Sequence, residues 1–204
     1  MTTTTNLIEY DQIATEAWSR FRSAADDCAD PFRLVTFASV DDLGRPEPLT
    51  LILRGAGDRE SPSLWFHVDQ RSSKISNIRR RPSVGLLFFD PKEHIQIRVR
   101  GSARVHTNDA EADDHWAQVE ITAAYIASIK RTDDADEHTG DQPDPRMESL
   151  TSEADPDRMK AWRKNFAVIE VLVEELDWLQ TREGHQRRAL LRAAGGWKAE
   201  PLDP

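Results

Sequence analysis

Apolar and polar residues alternate with a period of two over much of the chain, which is the pattern of half-buried strands. The start is an exception. Within residues 9–24, Ile13, Ala17, Trp18, Phe21 and Ala24 recur at spacings of three and four, predicting an amphipathic helix that the segment ending in Pro31 breaks. Residues 32–40 predict a first strand, Asp41-Asp42-Leu43-Gly44 a hairpin turn, residues 48–53 a returning strand closed by Arg54, and residues 64–68 a third. A polar, basic turn from 69 to 74 leads into a short helical piece, 75–81, which Pro82 stops. Strands follow at 84–89 and 95–106, joined through Asp90-Pro91-Lys92. Residues 109–129 read as a helix with an acidic first turn, and 159–165 as a short helical lead-in to a Val- and Ile-rich strand at 166–176. Trp178, Leu179 and Gln180 come next, then a Glu183-Gly184 turn and a returning strand at 185–191. Hairpin linkage at short intervals predicts a mainly β fold, an antiparallel barrel with a few packed helices.

Composition changes this picture in one place. Residues 131–159 hold ten acidic residues against three arginines, with Met147, Leu150 and Met159 as the only large apolar side chains. They read as a solvated excursion within a single domain spanning residues 1–204, with a lid or dimer arm as the alternative. The chain is 38% hydrophobic and 31% charged, with a net charge of -9 and a pI near 5.2. That balance disfavours nucleic acid and anionic membrane as partners, while leaving room for a local basic pocket. The one cysteine, Cys28, excludes an intrachain disulfide and a thiolate cluster. The six histidines form no H-x-x-x-H pair, so no metal site is expected. The N-terminal residues lack the pattern of a signal peptide, and no stretch is apolar enough for a membrane span, which makes the cytoplasm the expected location.

Candidate chemistry gathers around the turn after the third strand. Arg71, Ser72, Ser73, Lys74, Arg79, Arg80 and Arg81 lie within eleven positions. Guanidinium forks, hydroxyls and the free N–H groups of a helix starting near Ser73 would suit a phosphate. The run from Arg79 to Arg81 reads as surface and is left out of the site. Arg54 ends the second strand and could reach this turn, a contact that chain order alone does not demonstrate. Period two puts Gln96, Arg98 and Arg100 on one strand face, outward or toward a cleft, where an amide could hold a planar heterocycle. Around the last hairpin, Trp178 could wall a flat ring, Arg187 could meet phosphate or carbonyl oxygen, and His185 could contact a substrate. No Gly-rich dinucleotide loop, P-loop or nucleophile elbow is present.

At these residues the chain resembles the pyridoxamine 5'-phosphate oxidase-like, FMN-binding split-barrel family, over roughly residues 30–107 and 160–204. The strand Leu49-Thr50-Leu51-Ile52-Leu53-Arg54 after the Asp41–Gly44 turn is similar to the family's Arg-x-Val-Leu-Leu-Lys strand, with Leu49 for the first arginine and Arg54 for the lysine. Ser72-Ser73-Lys74 is similar to its Ser-Arg-Lys, and Ile95-Gln96-Ile97-Arg98-Val99-Arg100-Gly101 to its Arg-Gln-Val-Arg-x-x-Gly. Trp178-Leu179-Gln180, then Glu183-Gly184-His185-Gln186-Arg187 and the ending from Trp197, correspond to its terminal motifs. The resemblance implies an FMN-binding homodimer with cofactor sites between subunits. Arg54, Ser72 and Lys74 would hold the phosphate with help from Arg71, and Gln96 the ring. Trp178 and Arg187 would come from the opposite subunit, and His185 would touch substrate. Glu183 stands where family oxidases carry an arginine for the substrate phosphate, and would repel that group. The resemblance therefore implies an oxidoreductase of an unknown small substrate, related to pyridoxamine 5'-phosphate oxidase. The alternative is a non-catalytic flavin- or haem-binding split-barrel module.

Overall fold

A computed structural model describes residues 9–118, 162–182 and 185–203. Among the described residues the main helices are α1 (Ile13–Asp26), α2 (Ser73–Arg80) and α3 (Ala110–Gln118). The strands are β1 (Leu34–Val40), β2 (Pro46–Ala56), β3 (Ser63–Asp69), β4 (Ser83–Asp90), β5 (Ile95–His106), β6 (Phe166–Arg182), β7 (His185–Arg192) and β8 (Ala199–Leu202). The sheet runs β3-β2-β1-β4-β5-β6-β7-β8, every pair antiparallel, and β3 also pairs with β6. That last pairing closes six strands into a barrel and leaves β7 and β8 as an extension of one wall. Closure removes the two open edges that a flat six-stranded sheet would expose.

The alternation read from the sequence decides which way each strand faces. Val35 and Phe37, Leu51 and Leu53, Leu64, Phe66 and Val68, Leu86 and Phe88, and Ile95, Ile97 and Val99 point inward and are buried. α1 adds Trp18 and Phe21 to this core; Phe21 packs against Phe88 with ring centroids 4.6 Å apart, and Trp18 meets Trp197 edge-on at 5.7 Å. Two turns are set by carboxylates. Asp41 Oδ1 accepts from the N–H groups of Leu43 and Arg45, with Gly44 at φ +82°, and Asp90 Oδ1 accepts from Lys92 and Glu93. At the bulge where β5 shifts register against β6, a Cβ on Gly101 would stand 2.2 Å from the Leu172 carbonyl oxygen, so only glycine fits that approach.

Several element boundaries differ from the expectation. Residues 31–33 form a 3-10 turn capped by the Asp30 side chain, so β1 starts at Leu34. β2 continues past Arg54 to Ala56, because a bulge between Leu53 and Gly55 lets it stay paired with β3. β6 runs on through Trp178 and Gln180 to Arg182, since β5 and β7 hold it on both sides. The helix expected over 109–129 is seen as α3, and its remainder lies outside the described residues. So does the acidic excursion at 131–159 and the start of the helical lead-in, which is helical at residues 162–165.

Candidate functional site

The basic turn forms where β3 hands the chain to α2. Ser72 stands at the N-cap of α2, yet its hydroxyl donates to the Asp69 carbonyl at 2.8 Å and makes no cap bond. The first N–H groups of the helix are thus left without a side-chain acceptor, an arrangement that suits an anion. Lys74 lies on the inward side of α2, the side that carries the buried Ile75 and Ile78. Burial lowers its pKa from the usual lysine value, and nearby Asp69 offsets only part of that effect. A half-desolvated ammonium at an uncapped helix start favours an anion that would restore its charge balance.

Arg54 reaches the same region through β3. Its positive charge acts on His67, one of the outward side chains of β3, two residues before Asp69. Arg54 thus lies beside β3, the strand that leads into the turn before Lys74. Arg71 folds back onto Asp69, with Nη2 2.7 Å from Oδ2 and Nε 3.0 Å from Oδ1, so its charge is already matched. It also lines a hollow beside α2. Gln70, Arg71, Ser72, Ser73, Ile75, Ser76, Arg79 and Arg80 surround this open space of about 500 Å³. The sequence assigned Arg79 and Arg80 to plain surface; they form one wall of this hollow, and Arg80 pairs with Asp42. Arg81 donates to the carbonyls of Asp41 and Asp42, tying α2 to the β1–β2 turn.

The remaining candidates lie elsewhere. Gln96 is half-buried on the outward face of β5, opposite Phe89 of β4. The outward direction expected for Gln96, Arg98 and Arg100 is found, because Ile95, Ile97 and Val99 occupy the interior. Trp178 requires a correction. Only 2% of it is exposed, and it packs inside the barrel with Ile97 and Ala189 as its strand partners. Its indole fills the core and has no open face for a flavin ring. Arg187 lies 4.4 Å over the ring of Tyr10, a cation–π contact that sets its direction. His185 begins β7 opposite Arg182, and its side chain, like Glu183, lies outside what is described.

One cluster was not found from the sequence. α3 covers the outer face of β3 and sets His115 against His67, Nδ1 to Nε2, at 3.2 Å. Phe166 and Trp65 flank the pair, with ring centroids 5.1 Å from His67 and 5.9 Å from His115 respectively. Glu111 Oε1 is 3.5 Å from Nε2 of His115, which favours the proton on that nitrogen and leaves Nδ1 to accept from His67. Burial, then Arg54, then His115 push the His67 pKa down to about 3. Its only sequence signal was the outward alternation of Trp65, His67 and Asp69. Among the described residues no group of His, Cys, Asp and Glu could hold a metal ion, and no helix is long and apolar enough to cross a membrane.

This histidine pair makes folding pH-dependent. The unfolded chain takes up a proton at His67 near pH 6.5, well before the folded chain does, so stability is full above that value and is lost as pH falls toward 3. Between pH 8 and pH 5 the loss from His67 alone is expected to be about 2 kcal/mol. Urea unfolding at the two pH values measures it. The His67→Phe variant should show a smaller difference than the parent chain, and an equal difference would refute the assignment.

The barrel and the basic strand end define a class, and comparison with known proteins agrees with it. Residues 15–107 match the family of the pyridoxamine 5'-phosphate oxidase FMN-binding domain. Over those residues the chain is similar to the pyridoxamine 5'-phosphate oxidase-like, FMN-binding family, and its barrel is of the split-barrel type found in that family's structures. Among its relatives, a pyridoxine/pyridoxamine 5'-phosphate oxidase of Myxococcus xanthus is 26% identical over 86% of this chain and 82% of that protein. Among solved structures, a pyridoxamine 5'-phosphate oxidase-related, FMN-binding protein from Nostoc punctiforme matches with TM-score 0.65 and 21% identity, over the whole of both chains. PhzG from Burkholderia lata, solved with tetrahydrophenazine-1-carboxylic acid, matches with TM-score 0.68 and 16% identity, again over both whole chains. At these identities the two structures show a common fold.

Proposed function

We propose that this chain binds FMN as a homodimer and acts as an oxidoreductase on a small molecule. The observation that carries this reading is Lys74, desolvated beneath an α2 N-terminus that no side chain caps. Together with Ser72 and with Arg54 on the adjoining strand, it fits the phosphate of the nucleotide. Arg71, matched by Asp69, would contribute less. Gln96 would meet the ring, and Arg187, braced by Tyr10, would reach the cofactor from the partner subunit. Trp178 has no part in this site.

The outward face between Arg54 and Gln96 supports the dimer. Ile52 of β2 pairs with Leu34 of β1, and on the adjacent β4 Phe89 pairs with Gln96. Leu34 is 45% and Phe89 50% exposed, unusual for large apolar side chains on neighbouring strands. A second copy would cover this face isologously and so complete both sites at once. Bound FMN would supply hydride acceptance at its ring, and the protein would bind and orient the substrate.

The test is purification without added cofactor, followed by an absorption spectrum and a mass measurement of the native assembly. Bands near ~375 and ~450 nm on a dimeric protein are the expected result for oxidised flavin. A Soret band would favour the haem-binding alternative. A colourless dimer that takes up no FMN would rule the reading out. Bleaching of the flavin by NADH or NADPH would identify a reductase, whereas aldehyde formation from pyridoxamine phosphate would identify an oxidase of that substrate.

A further inference from the structure

α3 is lightly attached to the barrel. It spans nine residues, of which Ala112 alone is buried, with Glu111, His115 and Trp116 half-buried. Its two ends are held by different chemistry. At the start, Asp109 Oδ1 accepts from the Ala112 N–H at 3.0 Å, and Asp109 Oδ2 lies 2.9 Å from His106 Nδ1. The other ring nitrogen of His106 is 3.4 Å from Glu170 Oε2 on β6. Burial pushes the Asp109 carboxyl up, but the Ala112 N–H and His106 outweigh it and keep it below the usual range, so this end stays charged in mild acid. Arg163 ties the same end, with Nη2 2.5 Å from Asp113 Oδ1 and Nη1 2.7 Å from the Thr107 carbonyl oxygen. The later half meets the barrel through aromatic rings: His115 against His67, and Trp116 edge-on to Phe166 at 5.1 Å.

The ring contact is made for neutral histidines. One hydrogen lies between the two nitrogens 3.2 Å apart, donated by His67 to His115. A proton added at His115 Nδ1 would set N–H against N–H, and one added at His67 Nδ1 would bury a charge. Burial disfavours that charge at both rings. Arg54 of β2 and the facing His115 oppose it at His67, and His106 of β5 opposes it at His115, while Glu111 and Asp114 of α3 favour it at His115 without overcoming burial. Beside the pair, the Trp65 Nε1–H is buried with no acceptor among the described residues, its ring centroid 5.9 Å from that of His115. Lifting α3 would free both histidines to take protons and let that N–H reach water, so the seated helix carries costs that acid increases. We propose that the His67–His115 contact is an acid-sensitive latch: in mild acid the later half of α3 lifts from β3, with Asp109 as its hinge, while the barrel stays folded. The latch depends only on the β3–α3 contact and holds whether or not flavin binds. A proton at His106 would tighten the hinge, because that ring lies between the Asp109 and Glu170 carboxylates.

Amide hydrogen exchange on the purified full chain at pH 8 and pH 5, corrected for intrinsic rates, tests the latch. Release returns His67 from a pKa of about 3 to the ordinary value of about 6.5, so between those pH values opening should become roughly 30-fold easier from His67 alone. Residues 114–118 should lose that much protection. At pH 5 they should also exchange at least about a hundredfold faster than the buried residues of α1, the mark of a local opening. His67→Gln, whose amide can still donate to His115, should abolish most of the fall, and His67→Phe should do the same if the glutamine variant does not fold. Asp109→Ala, which loosens the hinge, should raise exchange at both pH values and leave the pH dependence in place. Exchange of 114–118 at the rate of α1, or an undiminished fall in a His67 variant that folds, would overturn the proposal. So would protection at 114–118 that is equal at the two pH values in the parent chain.

Discussion

The Arg54→Ala/Lys74→Ala double variant is expected to lose FMN affinity by a factor of roughly 10²–10⁴. Each hydrogen bond to a charged group contributes about 1.5–3 kcal/mol, and every 1.4 kcal/mol is about tenfold in affinity. Arg54 lies on β2 and Lys74 on α2, and neither is part of the apolar core. Removing a lysine whose charged form is already disfavoured by burial relieves a desolvation cost, so the fold should persist. Fluorescence titration of FMN into dialysed protein gives the affinities. A dissociation constant within threefold of the parent chain would show that the nucleotide phosphate is seated elsewhere. Arg71→Ala, by contrast, should shift affinity much less, because Asp69 already takes that guanidinium.

Trp178→Ala should act on the fold instead of the ligand. The indole is 2% exposed within the barrel, and truncating a buried tryptophan costs about 3–5 kcal/mol. Against a total stability of about 5–15 kcal/mol for a typical protein, this is a large share. A lower urea midpoint with unchanged FMN affinity in the folded fraction is the expected result. If the midpoint hardly moves while FMN is lost, Trp178 faces the flavin and the core assignment is wrong. The contrast between the two variants matters because family resemblance grouped these residues in one site. The barrel puts Trp178 on the inward side of β6, while Gln96 of the adjacent strand faces outward.

How much of this was legible beforehand differs from element to element. α1 followed directly from the spacing of Ile13, Ala17, Trp18, Phe21 and Ala24, all buried in the structure. The direction of Gln96 was also legible, since strict alternation with Ile95, Ile97 and Val99 admits one inward face. β6 was expected to end at residue 176, just before the charged Asp177. Asp177 and Glu175 are instead satisfied by arginines of β5 and β7, and the strand continues. The division of labour in the basic turn was invisible too. Arg71 is taken by Asp69, whereas Lys74 is partly buried and its charged form disfavoured, and neither condition can be read from their order in the chain.

Local order, then, was decided by the chain itself: strand period, helix stripe and turn residues act between neighbours, and hydrophobic alternation fixes what faces in. Partnership across the barrel was decided by the tertiary structure alone. The pairing of β3 with β6, the stacking of His115 on His67 and the shared hold of Arg98 and Arg188 on Asp177 join residues between 11 and 109 positions apart. Such contacts depend on how strands register around a closed sheet, and the period of a single strand carries no information about which strand will lie beside it.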